Sequence, residues 1–436
     1  MNENTAALGV PAMTEPLEPG PALLRPLRNR DFRLLFAGET VSVLGDQFHF
    51  VALAWLALQL TGSGLALGTV LMTAAIPRAV FMLVGGAFSD RFSPRTLMLA
   101  SNAIRAVVVG VLAALVLAGQ AELWHLYVFA AIFGVVDAFF YPALSTIVPM
   151  LVPDRQLAPA NALVQGAQQI MGLIGPALAG AMIALVQTGP AFVIDAASFG
   201  VAAFALLLIS GGRRHGDPAA AGDRPSVLST IAGGVRAAWA DPAVRSIVVL
   251  IAAFNFAFTG PISVGLAFLA DHRFEGGSAA FGLLFSAFGG GAVLGAIASG
   301  SIGRPRHLGA LLLAVAVGLG IGLALIGLAP SLPVALGIIA VMGILIGFIN
   351  VQAIAWLQSR VPADVRGRVM SLVTLGSVGL APVSLAIAGA LIDLGAVTLV
   401  FVAAGAIVIV AALAGLAWGI PTMMVWPDEE LPEGRS

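Results

Sequence analysis

Seven ionisable side chains interrupt stretches that are otherwise apolar: Glu39, Asp46, His49, Arg78, Arg105, Asp137 and Asp195. A charge in such a setting is expensive and defaults to a functional hypothesis. The chemistry on offer is proton binding and ion pairing. Glu39 and Asp46 are seven residues apart, so on a helix they share one face. His49 has a side chain that titrates near neutrality and suits a proton relay, although a single histidine in an apolar helix serves equally well as a hydrogen-bonded packing residue. Counted at about 1.5 Å per residue, Asp46, His49, Arg78, Arg105 and Asp137 fall near mid-depth of their segments. Glu39 lies nearer one end, where solvation is the plainer reading. Asp195 lies near the end of its segment, where a surface role is expected. Arg105 with Asp137 fits a coupling pair, and fits a static buried ion pair as well.

The elements that carry these residues follow from composition. Of the 436 residues, 59% are hydrophobic and only 10% charged, against about a quarter charged in a soluble domain. The apolar segments are each long enough to cross a bilayer as a helix of roughly 20 residues. Lipid offers no hydrogen-bond partners, so such segments must be helices. Short alternating strands, which a barrel would need, are absent from the pattern. Twelve spans result, the first six over 34–60, 65–88, 96–118, 122–150, 160–187 and 190–210. The second six are 244–270, 280–303, 307–329, 332–359, 367–394 and 397–420. The expected fold class is an all-α membrane protein with twelve transmembrane helices in two six-helix repeats.

The duplication is visible directly. Gly62, Gly68 and Gly86 reappear 214 residues later as Gly276, Gly282 and Gly300. With an offset of 209, Gly134 returns as Gly343, Val152-Pro153 as Val361-Pro362, and Gly180-Ala181 as Gly389-Ala390. A duplicated apolar half is the signature of a two-lobed transporter with its site between the repeats. The partners of Glu39 and Asp46, 214 residues on, are Ala253 and Gly260. That asymmetry assigns ion coupling to the first half and leaves the second half to shape a substrate cavity.

There is no lysine, and 18 of the 21 arginines fall in the tails, in the even-numbered loops or within two residues of those loops. Arg273 lies in an odd loop; Arg78 and Arg105 lie inside spans. The positive-inside rule then predicts both termini in the cytoplasm of a multi-pass protein of the cell (cytoplasmic) membrane. The expected organisation is a disordered cytoplasmic tail (1–30), a first bundle (31–210), a cytoplasmic linker (211–243), a second bundle (244–420) and a tail (421–436). Within the linker, the stretch around Trp239 reads as a short amphipathic helix or a plain tether. Net charge is −1, which gives no bulk attraction to nucleic acid. There are no cysteines, so no disulfides or thiolate metal sites arise. No phosphate-cradling G-x-x-x-x-G-K-S/T loop occurs, and no cofactor or bound metal is expected. No Ser/His/Asp arrangement supports an enzyme.

The loop after the second span carries Gly86, then Asp90 and Arg91 four and five positions on, then Arg95 at the tenth. On these residues the chain resembles the major facilitator superfamily. The resemblance implies a cytoplasmic latch, with the acid facing the start of the eleventh helix near Gly367. Such a pairing is sound, because a helix N-terminus favours a carboxylate. The second copy keeps Gly300, Arg304 and Arg306 but lacks the acid. Gly175, Pro176 and Gly180 in the fifth span are similar to the Gly-Pro motif of the family's antiporters; Met171 stands where one upstream glycine is usual. Leu44-Gly45-Asp46, Phe139-Phe140-Tyr141-Pro142-Ala143 and Ala160-Asn161-Ala162-Leu163 look like the branch with macrolide-efflux and enterobactin-export proteins. The resemblance covers about residues 25–420.

In that family the first and fourth helices of each half line a central cavity, so Asp46 and Asp137 would face it. A carboxylate out of water takes up a proton readily, and a nearby guanidinium opposes this. Asp46 is the expected proton carrier, with Asp137, Arg105, His49 and Glu39 around it. The second half would contribute Phe254, Asn255, Phe258, Asn350, Gln352 and Trp356. Sparse polar groups on an apolar, aromatic wall suit an amphipathic organic substrate rather than a sugar. The expected function is proton-coupled efflux of lipophilic or amphipathic molecules, drug-like or siderophore-like. The alternatives are a proton-coupled importer of the same fold, or a non-transporting sensor or scramblase. The expected partners are a small-molecule substrate, protons and membrane lipid, with no nucleic acid, and the protein is expected to be a monomer.

Overall fold

The computed structural model describes residues 22–89, 93–210, 241–361 and 379–424, with the single positions 236, 239, 369, 373 and 376. In chain order the first six long helices are α1 (Arg30–Thr61), α2 (Gly64–Ser89), α3 (Pro94–Leu117), α4 (Leu123–Leu151), α5 (Leu157–Val186) and α6 (Gly189–Leu208). The second set is α7 (Pro242–His272), α8 (Gly277–Ile302), α9 (Leu308–Leu328), α10 (Leu332–Arg360), α11 (Ala381–Asp393) and α12 (Val397–Ala417). Eleven are long and apolar enough to cross a membrane; α11 is shorter in its described part. A π-helical turn at Pro261–Gly265 interrupts α7, where Pro261 removes a backbone donor.

Local chemistry fixes the ends. Asn29 accepts the amides of Asp31 and Phe32 and starts α1, while Gly62 ends it with φ +63, a conformation that favours glycine. Ser93 and Asp241 cap α3 and α7, each followed by proline in the first turn. The outward faces stay apolar. Val107, Leu185, Phe204, Ile297 and Val410 are all exposed, as helices bathed in lipid require.

Both halves of the chain pack alike. In the first, α1 and α3 lie on α6, and α2 lies on α4. In the second, α9 lies on α12, and α8 lies on α10. The halves meet along two seams, α2 against α11 and α5 against α8. Both seams close at the end remote from the N-terminus, called the far end below. At one, Gly64 and Gly68 of α2 lie on Gly389 and the Leu385 carbonyl of α11. At the other, Ser278 and Gly282 of α8 lie on Gly180 and the Pro176 carbonyl of α5. The offsets of 214 and 209 map the first set of four onto the second, so the duplicated glycines mark where backbones touch. Any side chain at Gly68, Gly180, Gly282 or Gly389 would collide with backbone of the other half.

Two expectations change, and one exception is explained. The chain is helical from Ala22, where a 3-10 turn (Ala22–Arg28) packs on α1 and α5 within the expected tail. Beyond α12, the turn Ile420–Met423 packs under α9, with Ile420 and Met424 buried, so the second bundle extends past 420. Arg273, the odd-loop exception, is bound by the carbonyl of Gly327 and the hydroxyl of Thr398; it satisfies the end of α9. Of the linker, only positions 236, 239 and 241–243 lie within the described residues.

Candidate functional site: a charged interior and an apolar cavity

The first half gathers its ionisable groups between α1, α2, α3, α4 and α6. Arg105 of α3 donates from Nη2 to Asp137 Oδ1 of α4 at 2.5 Å. Arg78 of α2 approaches Asp137 Oδ2 at 3.1 Å through Nε. Arg105 is fully buried and lies over the rings of Phe140, Phe133 and Phe199, at 4.7, 5.0 and 5.4 Å from their centroids. The aromatic faces supply the negative potential that lost water would have given. Arg78 lies over Tyr141 at 5.4 Å.

A second pair adjoins the first. His49 Nδ1 of α1 lies 2.9 Å from Asp195 Oδ2 of α6. The imidazole stacks on Phe133, with centroids 4.5 Å apart, so one ring separates it from Arg105. Asp195 is fully buried, which overturns the surface role expected for it, and His49 is paired rather than alone. Glu39 is also buried rather than solvated. Among the described residues, the side chains of Glu39 and Asp46 have no hydrogen bond or ion pair in the protein. Asp46 sits within electrostatic reach of Arg105, Asp195, Asp137 and Glu39. Fully buried Asn102 has neither side-chain polar atom bonded to protein, and Asp195 Oδ1 is likewise unpartnered.

Sequence reasoning brought together Arg105, Asp137, His49, Asp46 and Glu39. It left Arg78, Asp195 and Asn102 out of the site. The signal for both Arg78 and Asp195 was charge inside an apolar span; Asp195 was discounted for depth, and Arg78, read at mid-depth, was given no partner. Asn102 carried no such signal.

The second half is the opposite in kind. A cavity of about 470 Å³ opens between α7, α9 and α10, lined chiefly by Leu and Ile with Phe254, Asn255 and Asn350. Asn255 uses its amide on the Ile251 carbonyl of its own helix at 2.9 Å. Phe258 stacks on Phe254, with centroids 5.0 Å apart, and braces the wall. Gln352 and Trp356 fall elsewhere, because both turn into the bundle. Gln352 is buried and donates to the carbonyl of Gly303 and the hydroxyl of Ser299, which tie α10 to α8. Trp356 is fully buried.

The motif residues divide. Gly86 lies in α2, whereas Asp90, Arg91 and the stretch around Gly367 lie outside the described residues. Arg95 donates from Nε and Nη2 to the carbonyls of Leu206 and Leu207, at 2.8 and 2.9 Å. It therefore closes the C-terminus of α6 inside the first half. Gly175 packs on the side chain of Gln47 in α1. Pro176 cannot bond the carbonyl of Gly172, and Gly289 of α8 lies against that freed carbonyl. Next to the proline, the amide of Ala177 donates to Ser286 Oγ of α8 at 2.9 Å.

Twelve apolar helices among the described residues, packed alike in two halves and closed by two glycine seams, agree with a family model. The model described as Major Facilitator Superfamily matches residues 35–383. The chain belongs to this superfamily. Among similar proteins, the multidrug efflux pump Tap of Mycolicibacterium fortuitum is 27% identical over 380 residues, 85% of this chain and 91% of its own length. Macrolide efflux protein A of Streptococcus pyogenes is 23% identical over 343 residues, 78% of this chain and 84% of its own. Among solved structures, the nucleoside transporter NupG superposes with a TM-score of 0.69 at 12% identity, covering 89% of this chain and 99% of that one. A bacterial homologue of the iron transporter ferroportin in an inward-facing state gives 0.68 at 18% identity, covering 89% and 98%. These last two bear on the fold alone. As a major facilitator, the protein is a multi-pass membrane transporter for small molecules.

Proposed function

We propose that this transporter exports lipophilic or amphipathic small molecules in exchange for protons, by alternating access between the two ends of the bundle. One observation carries the proposal: one half has a polar, charged interior, and the other has an apolar cavity. Four carboxyls (Glu39, Asp46, Asp137 and Asp195) share the first interior with two guanidiniums (Arg78 and Arg105). Uncompensated charge is too costly there, so the excess acids cannot all stay ionised, and at least one must hold a proton whenever water is excluded. Asp137 is committed to both arginines. Asp46 is committed to neither, which leaves it free to gain and lose a proton. A proton entering from the far end would neutralise Asp46 and change its attraction to Arg105, biasing the balance between the two orientations.

The second interior supports the substrate class. A cavity of about 470 Å³ with two asparagine amides and an aliphatic and aromatic wall suits a drug-sized, mostly apolar molecule. It has no carboxylate among its lining residues to hold a cation. Export, rather than uptake, is favoured by the similar proteins, which include multidrug and macrolide efflux pumps, and by Gly175, Pro176 and Gly180 at the α5–α8 seam. The arginine distribution favours the cell membrane with both termini in the cytoplasm.

The test is proton release from purified protein on adding macrolides, lipophilic cations and siderophores, with wild type and Asp46→Asn in parallel. Release from wild type alone supports both the coupling and its carrier. Equal release from both moves the carrier to the His49–Asp195 pair or Glu39. Accumulation in everted vesicles that ignores a collapsed proton gradient would sink the coupling.

A further inference from the structure

We infer that Asp393 is a lock: as the last residue of α11, it caps the first turn of α2 from the other half of the molecule and holds the far end shut. Its Oδ1 accepts the amide of Gly64 at 2.6 Å. Its Oδ2 accepts the hydroxyl of Ser63 at 2.5 Å and the amide of Leu65 at 3.3 Å. Ser63 Oγ in turn accepts the amide of Ala66 at 3.0 Å. The first amides of a helix have no partner within it, and its N-terminus favours negative charge. A capping residue normally comes from the same chain segment, just ahead of the helix. Here the carboxylate arrives from 329 positions away, so the cap exists only while the halves touch.

The duplicated architecture shows what is special about this contact. In the other seam, the repeat equivalents of Gly64, Gly68, Leu385 and Gly389 are Ser278, Gly282, Pro176 and Gly180. By the same offsets, Ser63 corresponds to Gly277 and Asp393 to Ala184. The backbone contact is thus conserved between the seams and the lock is not. The α5–α8 seam is held instead by neutral bonds, Ser278 Oγ to the Gly180 carbonyl at 3.0 Å and the Ala177 amide to Ser286 Oγ at 2.9 Å. Asp393 sits at an exposed rim. On release it trades helix amides for water, so the lock biases the closed state without making it permanent. The two seams therefore part unequally: α2 leaves α11 when Asp393 lets go, while α5 and α8 stay closer.

This inference rests on the alternating-access reading, and its test separates the two. The native chain has no cysteine, so spin-label pairs can be introduced singly. One pair, at exposed Leu65 and Leu394, reports the locked seam. A second, at exposed Leu185 and Leu283, reports the other. Distances are measured by pulsed electron resonance in lipid nanodiscs. Asp393→Ala should raise the ratio of long to short distances at the Leu65–Leu394 pair about 5- to 10-fold, the scale of losing a helix cap, with a smaller change at Leu185–Leu283. Asp393→Asn, which keeps one acceptor and the side-chain volume, should give a smaller shift in the same direction and serves if the alanine variant does not fold. Two populations in wild type that neither variant changes would overturn the lock and spare alternating access. One short distance in every protein, at every pH and with every added compound, would overturn both.

Discussion

The interiors of the two halves occupy equivalent places and have opposite chemistry. With the 209 offset, Asp137 corresponds to Ile346, Phe140 to Ile349 and Tyr141 to Asn350, and all three of the latter line the second-half cavity. With the 214 offset, Glu39 corresponds to Ala253 and Asp46 to Gly260. Where one half fills its interior with ion pairs and stacked rings, the other leaves about 470 Å³ bounded by aliphatic groups. The seams, by contrast, have glycine in both copies at two positions, Gly68 with Gly282 and Gly180 with Gly389. On the proposed alternating access, contacts used at both seams stand in both copies, while the charge and the cavity each stand in one. A difference between the halves is therefore a better guide to function here than their likeness.

The strongest way to break the comparison is to remove the charge that balances the first interior. Arg105→Ala would leave Asp137 with only the half-exposed Arg78 and strip three rings of their cation. Breaking a buried pair from one side typically costs about 3–5 kcal/mol. The expected result is a large drop in thermal stability in detergent and loss of transport. Arg105→Lys, which keeps charge but not the planar fork, should fall between. Truncation of Leu319 to alanine on the facing wall of the second half should cost less, because the cavity it borders already lacks contacts to lose. Equal losses at Arg105 and Leu319 would contradict the division drawn above.

Asp46→Asn sharpens the comparison from the functional side. Asp46 makes no described hydrogen bond, so asparagine should fold normally. If Asp46 carries the proton as proposed, accumulation driven by a proton gradient should fall at least about tenfold, while exchange of substrate across vesicles without a gradient continues. Retained gradient-driven accumulation would remove Asp46 from the mechanism.

The sequence made the fold legible because two signals were redundant. Hydropathy marked every span, and the arginines and repeated glycines confirmed the order of those spans independently. The pairing of Arg105 with Asp137 was equally readable, since two opposite charges in apolar helices must find each other. Asp195 was misread because depth was judged along one helix. Its burial depends on α1, where Gly45 lets Ser198 and Asp195 of α6 approach, a lateral fact that linear counting misses. Gln352 lies off the apolar cavity for a related reason. On a helix apolar on every face, phase does not say which side meets a cavity and which meets a neighbour. Asp393 went unnoticed because an acid at a helix end looks solvated, and its partner is 329 positions away.

The smallest expected effect lies in the apolar cavity. Asn350 lines it with an amide that has no described partner in the protein, whereas Asn255 is already bonded to its own helix. A substrate carbonyl or hydroxyl has one free asparagine to meet. A neutral hydrogen bond contributes about 0.5–1.5 kcal/mol net, so Asn350→Leu should weaken binding of a neutral amphipathic substrate about 2- to 12-fold. Proton release by the first half should saturate at the same level once substrate is raised to compensate. Substrate titrations of proton release give both quantities, the midpoint and the plateau. A shifted midpoint with an intact plateau keeps binding and coupling in separate halves. A collapsed plateau would mean that the second interior takes part in coupling, and that the two halves differ in composition but not in task.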